Sequence, residues 1–289
     1  MADVKKRVKS RLPLALIFII LMIGISIFMY PKVSNLISEY TAKVEIGSYN
    51  SEVEKLDNSE IEKFEKQAEE YNKSLYEKTD SSTFKYNDLL NVTGILGYVD
   101  IPKIKVYVPI YHGMSDEVLQ KGIGHMEGTS LPVGGTSTHS VLAGHTGLPS
   151  AELFTGLDRL VEGDVFYIHV LNRILAYRVD QIKVVLPEND NDIQIIKGED
   201  YVTLLTCTPY GVNDHRLLVR GTRIPYEEEK QIVDEHNADS DIGGECKLSV
   251  EAVLWIIGIS VIIFVITVIL MILFIPGRKK PEKPKSEKE

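Results

Sequence analysis

Two long apolar runs bracket the chain. The first, Leu12 to Tyr30, carries no charge. As a helix it is about long enough to cross a ~30 Å hydrocarbon core. The second, Val250 to Ile275, is interrupted only by Glu251 and small polar residues, and it exceeds the ~20 residues that a span requires. The sequence between them reads as a soluble globular domain. Ile61, Phe64, Ala68, Tyr71 and Leu75 recur at three- and four-residue spacing among Glu and Lys, which predicts an amphipathic helix over Ser51 to Lys78. Val53 and Leu56 extend its stripe, although the step from Leu56 to Ile61 is too long for a clean continuation. Such a helix either packs on the domain or stands as a stalk. Thr79 to Lys85 is polar and predicts a loop.

From Gly94 the pattern changes to short β-rich segments separated by turn residues. The predicted strands are 97–101, 105–110, 140–144, 165–170, 175–185, 203–207 and 216–220. Many short strands at close spacing predict an antiparallel barrel or sandwich. Short helices are expected at Glu117 to Lys121 and Ser150 to Leu157. Tyr226 to Glu245 is acidic and polar, a linker to the second run. No internal repeat is visible.

Charge orients the two runs. Lys5, Lys6, Arg7, Lys9 and Arg11 precede the first, and Arg278, Lys279, Lys280, Lys283 and Lys285 follow the second. Basic flanks stay cytoplasmic, so both termini are expected inside and the domain between them outside. A cleaved signal peptide would end in a small-residue site, and Met29-Tyr30-Pro31 does not supply one. The 289 residues carry a net charge of −9, which argues against a nucleic-acid partner. Two cysteines, Cys207 and Cys246, are too few for a disulfide framework or a cysteine-based zinc site.

Cys207 ends the run Thr203-Leu204-Leu205-Thr206-Cys207, and a polar loop leads to a second run opening at Arg216. If the two runs pair as antiparallel neighbours, Cys207 and Arg216 stand side by side, with Cβ atoms ~4.5–5.5 Å apart. A guanidinium beside a thiol favours the thiolate and can hold the oxyanion formed when that thiolate attacks a carbonyl. The alternatives are a buried small side chain for Cys207 and a solvated strand-end charge for Arg216. A cysteine nucleophile needs a proton carrier, and histidine suits the task. Among seven histidines, His145 follows a strand ending at Gly144 and opens a turn. His139 starts the same strand and His215 adjoins Arg216, so both compete. His112 and His125 fall in glycine-rich turns, where structural hydrogen bonding is the default. His169 lies mid-strand and His236 in the acidic linker, and neither is assigned a role. No Gly-x-Ser-x-Gly elbow, Walker loop, His-Glu-x-x-His or EF-hand run occurs, so neither a metal nor a cofactor is expected.

These residues resemble the sortase family. Thr203-Leu204-Leu205-Thr206-Cys207 is similar to its Thr-Leu-x-Thr-Cys signature, Arg216 follows at the spacing of its arginine, and Leu142-Ala143-Gly144-His145 resembles its histidine strand. Segments 127–135, 138–145 and 206–213, together with the C-terminal apolar run, resemble the pilus-building class C. The resemblance covers roughly Gly94 to Ile224. It implies a mainly β, sortase-type barrel with short helices, flanked by two transmembrane helices. The expected divisions are 1–11 cytoplasmic tail, 12–30 span, 31–93 helical lead-in and lid region, 94–225 catalytic barrel, 226–249 linker, 250–275 span and 276–289 cytoplasmic tail. It also implies a transpeptidase with Cys207 as nucleophile, His145 as general acid and base, and Arg216 as oxyanion support. The implied partners are a Leu-Pro-x-Thr-Gly-like sorting signal on a pilin or surface protein and an amine acceptor. That acceptor is a pilin lysine, or a peptidoglycan cross-bridge for a general wall-anchoring enzyme. A non-enzymatic membrane-tethered assembly module is the rival from another class. Class C members carry a lid with an Asp-Pro-aromatic motif. None occurs between Glu77 and Leu90, where Asp80 and Phe84 stand at the wrong spacing, so the cleft is expected open or weakly covered.

Overall fold

A computed structural model describes residues 2–226, with side chains from residue 19. The expected second span and its tail, nearly all of the linker, Cys246 and His236 lie outside the described residues.

The expected first span is part of a longer helix, α1 (Ala2–Val53), which runs on through Pro31. Among the described residues it is the one helix long and apolar enough to cross a membrane, by length and composition. Ile20, Ile27 and Phe28 on it are exposed, an arrangement suited to lipid rather than water. Further along, Ala42, Ile46, Tyr49 and Val53 are buried. Ile46, Tyr49 and Val53 form a satellite cluster with Ile95, Tyr98 and Tyr111.

The helix expected over Ser51 to Lys78 is broken. α1 stops at Val53, and α2 (Asn58–Glu77) starts afresh, so Val53 and Leu56 do not extend its stripe. The cause is a capping box. Asp57 accepts from the Glu60 amide at 2.9 Å, and the Glu60 carboxylate accepts from the Asp57 amide at 3.0 Å, satisfying two donors that a new helix leaves open. α2 packs on the domain rather than standing as a stalk: Ile61, Ala68 and Tyr71 join the main core. Asn72 ties α2 to the connection between β3 and β4, donating to the Leu131 carbonyl at 3.1 Å and accepting from its amide at 2.7 Å.

Eight strands close into a barrel: β1 (Gly97–Ile101), β2 (Val106–His112), β3 (Ile123–His125), β4 (Thr138–Ala143), β5 (Val165–Val170), β6 (Arg173–Val185), β7 (Asp200–Thr208) and β8 (His215–Ile224). Their order around it is β1-β2-β3-β4-β7-β8-β6-β5. The sheet is mixed, not purely antiparallel, because β2–β3 and β4–β7 pair in parallel. β3 escaped the sequence reading: three residues containing a glycine show no alternation. His112 and His125 accordingly end strands rather than sit in turns. The helix expected at Glu117 to Lys121 is α3 (Asp116–Lys121), capped by Ser115. Ser150 to Leu157 is not helical; turns lead there into a 3-10 turn at Leu157–Arg159. Leu142, Val202, Leu204 and Val219 face inward to the main core, and alternation turns their sequence neighbours outward.

Candidate active site

β7 and β8 form the antiparallel pair expected from the sequence, with Cys207 directly opposite Arg216 and Thr208 opposite His215. On the other side, β7 runs parallel to β4 in a register from Thr138↔Asp200 to Ala143↔Leu205. Carried two residues past β4, the same register would bring His145 level with Cys207. Past the end of β4, the chains stay together through two hydrogen bonds. The Gly144 amide donates to Leu205 O at 3.0 Å, and the buried Thr206 hydroxyl donates to Gly144 O at 2.7 Å. On that register, alternation assigns all three residues to one face, Cys207 and Arg216 on adjacent strands and His145 just past the end of β4.

Local sequence explains how this row is held. A Cβ on Gly144 would lie 2.6 Å from Ile123 Cδ1 and 2.8 Å from the Phe154 ring, so only glycine lets β4 end this close to its neighbours. The following loop folds back, with the Phe154 amide donating to His145 O at 3.1 Å. Gly147 has φ +72°, and the Tyr210 ring lies over it, 2.6 Å from where a Cβ would stand. Tyr210 belongs to the β7–β8 loop and is 70% exposed. It joins the loop that follows Cys207 to the loop that follows His145.

Cys207 is a free, half-buried cysteine. The Arg216 guanidinium donates to the carbonyls of Asn213 at 3.2 Å and His215 at 3.0 Å. These acceptors are neutral, so they orient the cation without cancelling its charge. Exposed Asp214 accepts from or pairs with His215 Nδ1 at 2.8 Å. A half-buried thiol, an imidazole and an oriented guanidinium in one row are the parts needed for acyl transfer through sulfur.

The other histidines are held elsewhere. His139 Nδ1 faces the Gln194 carbonyl at 2.9 Å and Nε2 faces the Thr203 hydroxyl at 2.7 Å. A carbonyl only accepts, so Nδ1 carries the proton and Nε2 accepts. Burial lowers its pKa. His125 is fully buried between the Tyr86 hydroxyl at 2.8 Å and the Ser130 carbonyl at 2.9 Å, and desolvation pushes its pKa down to about 4. His169 stacks on Tyr98 with centroids 4.3 Å apart; burial lowers it to about 4 as well. Among the described residues no cluster of His, Cys, Asp or Glu could hold a metal ion.

The stretch from Thr79 to Leu90 makes local and body contacts. Asp80 accepts from the Ser82 amide at 2.9 Å, and Phe84 meets Tyr71 of α2 edge to face. Tyr86 is buried where β2 and β3 finish, accepting from the Gly113 amide at 3.0 Å and contacting His125. Sequence reasoning missed Thr206, Gly147 and Tyr210 as parts of the site, because their partners lie about 60 residues away in the chain.

A family model described as the sortase domain matches residues 99–224. Sortase A of Streptococcus agalactiae is 27% identical over 117 residues, 39% of this chain and 47% of that protein. Sortase A of Staphylococcus aureus is 30% identical over 138 residues, 45% of this chain and 65% of that protein. The chain thus spans about half the length of the former. Solved structures match more fully. Sortase C of Streptococcus pneumoniae, described with its catalysis and pilin substrate specificity, is 49% identical with a TM-score of 0.59, covering 63% of this chain and 96% of that one. Sortase C1 of pilus island 1 of GBS is also 49% identical with a TM-score of 0.61, covering 64% and 93%. On this sequence identity, carried across almost the whole of those solved domains, the chain belongs to the sortase family, in its class C.

Proposed function

We propose that the chain is a membrane-anchored cysteine transpeptidase that builds pili. What supports this reading is Cys207 directly opposite Arg216 across β7 and β8, with His145 two residues past the parallel β4–β7 register. The Cys207 thiolate attacks the Thr carbonyl carbon of a Leu-Pro-x-Thr-Gly-like sorting signal, and Arg216 steadies the tetrahedral oxyanion. The Thr–Gly C–N bond then breaks, and His145 delivers its proton to the leaving Gly amine. A thioester on Cys207 remains. An incoming amine attacks it, His145 removes the amine's surplus proton, and the new amide leaves with Cys207 restored as thiolate. The amine is a pilin lysine, a reading supported by the pilin and pilus descriptions of the two solved neighbours. The membrane anchor is α1, joined by a second span over 250–275, with both basic tails cytoplasmic and the barrel outside.

The test is mass spectrometry of the products formed from a sorting-signal peptide with a lysine-bearing pilin peptide or a cross-bridge amine. Lysine adducts are expected, together with a Cys207-linked acyl-enzyme. Products carrying only the cross-bridge amine would make the chain a wall-anchoring sortase. Cys207→Ala is expected to abolish transfer and leave the melting temperature nearly unchanged, since it removes one sulfur from a half-buried strand end. Near-normal turnover by that variant would refute the nucleophile and favour an assembly module.

A further inference from the structure

The end of the barrel that carries Cys207 is set by how α1 lies along it. Near its middle, Asn35 accepts from the Glu152 amide at 2.8 Å. Glu152 belongs to the loop that follows His145. Ten residues on, Glu45 accepts from the Tyr111 hydroxyl at 2.5 Å. Four residues further, the Tyr49 hydroxyl accepts from the Leu171 amide at 2.7 Å and donates to Leu96 O at 3.3 Å. Leu171 lies in the β5–β6 turn and Leu96 just ahead of β1, where β1 and β6 begin. The loops after β4, β6 and β7 form the opposite end, which holds His145 and Cys207. So α1 descends the barrel wall from the Cys207 end to the far end.

The lengths agree. From Asn35 to Tyr49 a helix rises ~21 Å at ~1.5 Å per residue. Nine residues of β7, at ~3.3 Å each and tilted by ~40°, give a barrel height of about 23 Å. The helix upstream of Asn35 therefore leaves from the Cys207 end, and the apolar run closes at Tyr30, five residues or ~8 Å of helix earlier. Pro31 removes one helical hydrogen bond, and a bend of about 20° or more there tilts the barrel without exchanging its ends.

We propose that α1 is a ruler that holds the Cys207 end of the barrel facing the bilayer at short standoff, so that the site takes peptides anchored in that same bilayer with the reacting bond close to its surface. The facing end carries exposed acids, Glu188, Asp190 and Asp214, beside exposed bases, Lys103, Lys105 and Arg159. It offers anionic headgroups no one-signed patch, so the helix and not surface adsorption sets the orientation. The choice of peptide rests on the proposed function; the orientation does not.

The experiment uses the full chain in vesicles containing headgroup-quencher lipids, with both native cysteines replaced by alanine and one fluorophore per variant. Probes at Asp214→Cys and Glu188→Cys report the Cys207 end; probes at Asn172→Cys and Lys197→Cys report the other. All four sites are exposed. Quenching at the first pair is expected to exceed that at the second by about threefold or more. Equal or reversed quenching overturns the orientation, whatever the enzyme's activity. A Gly-Ser-Gly-Ser insertion after Lys32 is expected to erase the difference; its persistence would overturn the ruler. With the wild-type chain, cleavage of a bilayer-anchored sorting peptide is expected to fall at least about fivefold when ~30 flexible residues are placed between the reacting bond and its anchor. Unchanged rates for a peptide that is cleaved would overturn the substrate choice alone, and no cleavage of either peptide would count against the proposed function instead.

Discussion

At the residue scale, the site depends on groups with no acid–base chemistry of their own. Thr206 spans the gap between Cys207 and His145 by donating to Gly144 O. Thr206→Val keeps the shape but leaves that carbonyl without its donor, which costs roughly 1–3 kcal/mol of stability. Because the same bond sets the register of His145 against Cys207, kcat is expected to fall about tenfold or more with little change in KM, and Thr206→Ser to restore it. Equal kcat for the Val variant and wild type would mean that the strands alone fix the register. The sequence placed Cys207 and Arg216 together because a short polar stretch, Thr208 to His215, links their two β-rich runs. It left His145 competing with His139 and His215, because a parallel neighbour 62 residues away leaves no local trace. In the structure both nitrogens of His139 are occupied and His215 Nδ1 meets Asp214, and His145 stays the proposed proton carrier. Buried histidines also set an acid limit. His125 is held neutral with its pKa near about 4, below the unfolded value of ~6.5. Its contribution is complete above pH 6.5 and is lost as pH falls toward 4, on the order of 3 kcal/mol at ~1.36 kcal/mol per pKa unit. His169 acts in the same direction. Asp100, raised by burial to about 6, acts oppositely: its contribution is complete below pH ~4 and lost as pH rises through 6. Melting temperature is therefore expected to fall between pH 6.5 and 4 in wild type and far less in His125→Gln; matching slopes would remove His125 as the cause.

At the element scale, short β-rich segments between turn residues revealed seven strands, and their ends moved by only a few residues on meeting the structure. What it did not reveal has physical reasons. β3 is too short to alternate, and parallel pairing is decided by crossover connections rather than by any strand's own residues. The long step between Leu56 and Ile61 hinted at the break between α1 and α2, while the capping pair Asp57 and Glu60 that makes it went unread in the sequence. The segment ahead of β1 shows the converse, a missing motif with a structural counterpart. Its hydrophobic anchors turn onto α2 and the finishing ends of β2 and β3 through Phe84 and Tyr86. A closed lid reduces apparent affinity by the fraction of time that the site is open. Deleting 79–85 is therefore expected to change the reaction of Cys207 with a small thiol reagent by less than about threefold, or ~0.7 kcal/mol. A rise of about tenfold would show that the stretch gates the site.

At the scale of the whole molecule, charge and apolar length were enough to suggest two spans around one external domain, and the first has become a helix continuous with the barrel's own wall. Reporter fusions after Glu235 are expected to be external and fusions after Glu289 cytoplasmic; an external C-terminus would mean that the basic tail does not set orientation. The parallel β4–β7 pair bears on the life of the chain before it is an enzyme. Between His145 and Cys207 the polypeptide must lay down β5 and all of β6, and Arg216 arrives only as β8 begins. Contacts this distant in sequence form late, after the loop-closure entropy has been met. A chain still emerging from the translocation machinery thus carries a thiol with neither its imidazole nor its guanidinium alongside. On the proposed roles of these residues, reactivity arrives with barrel closure, and an unfinished molecule carries an ordinary thiol.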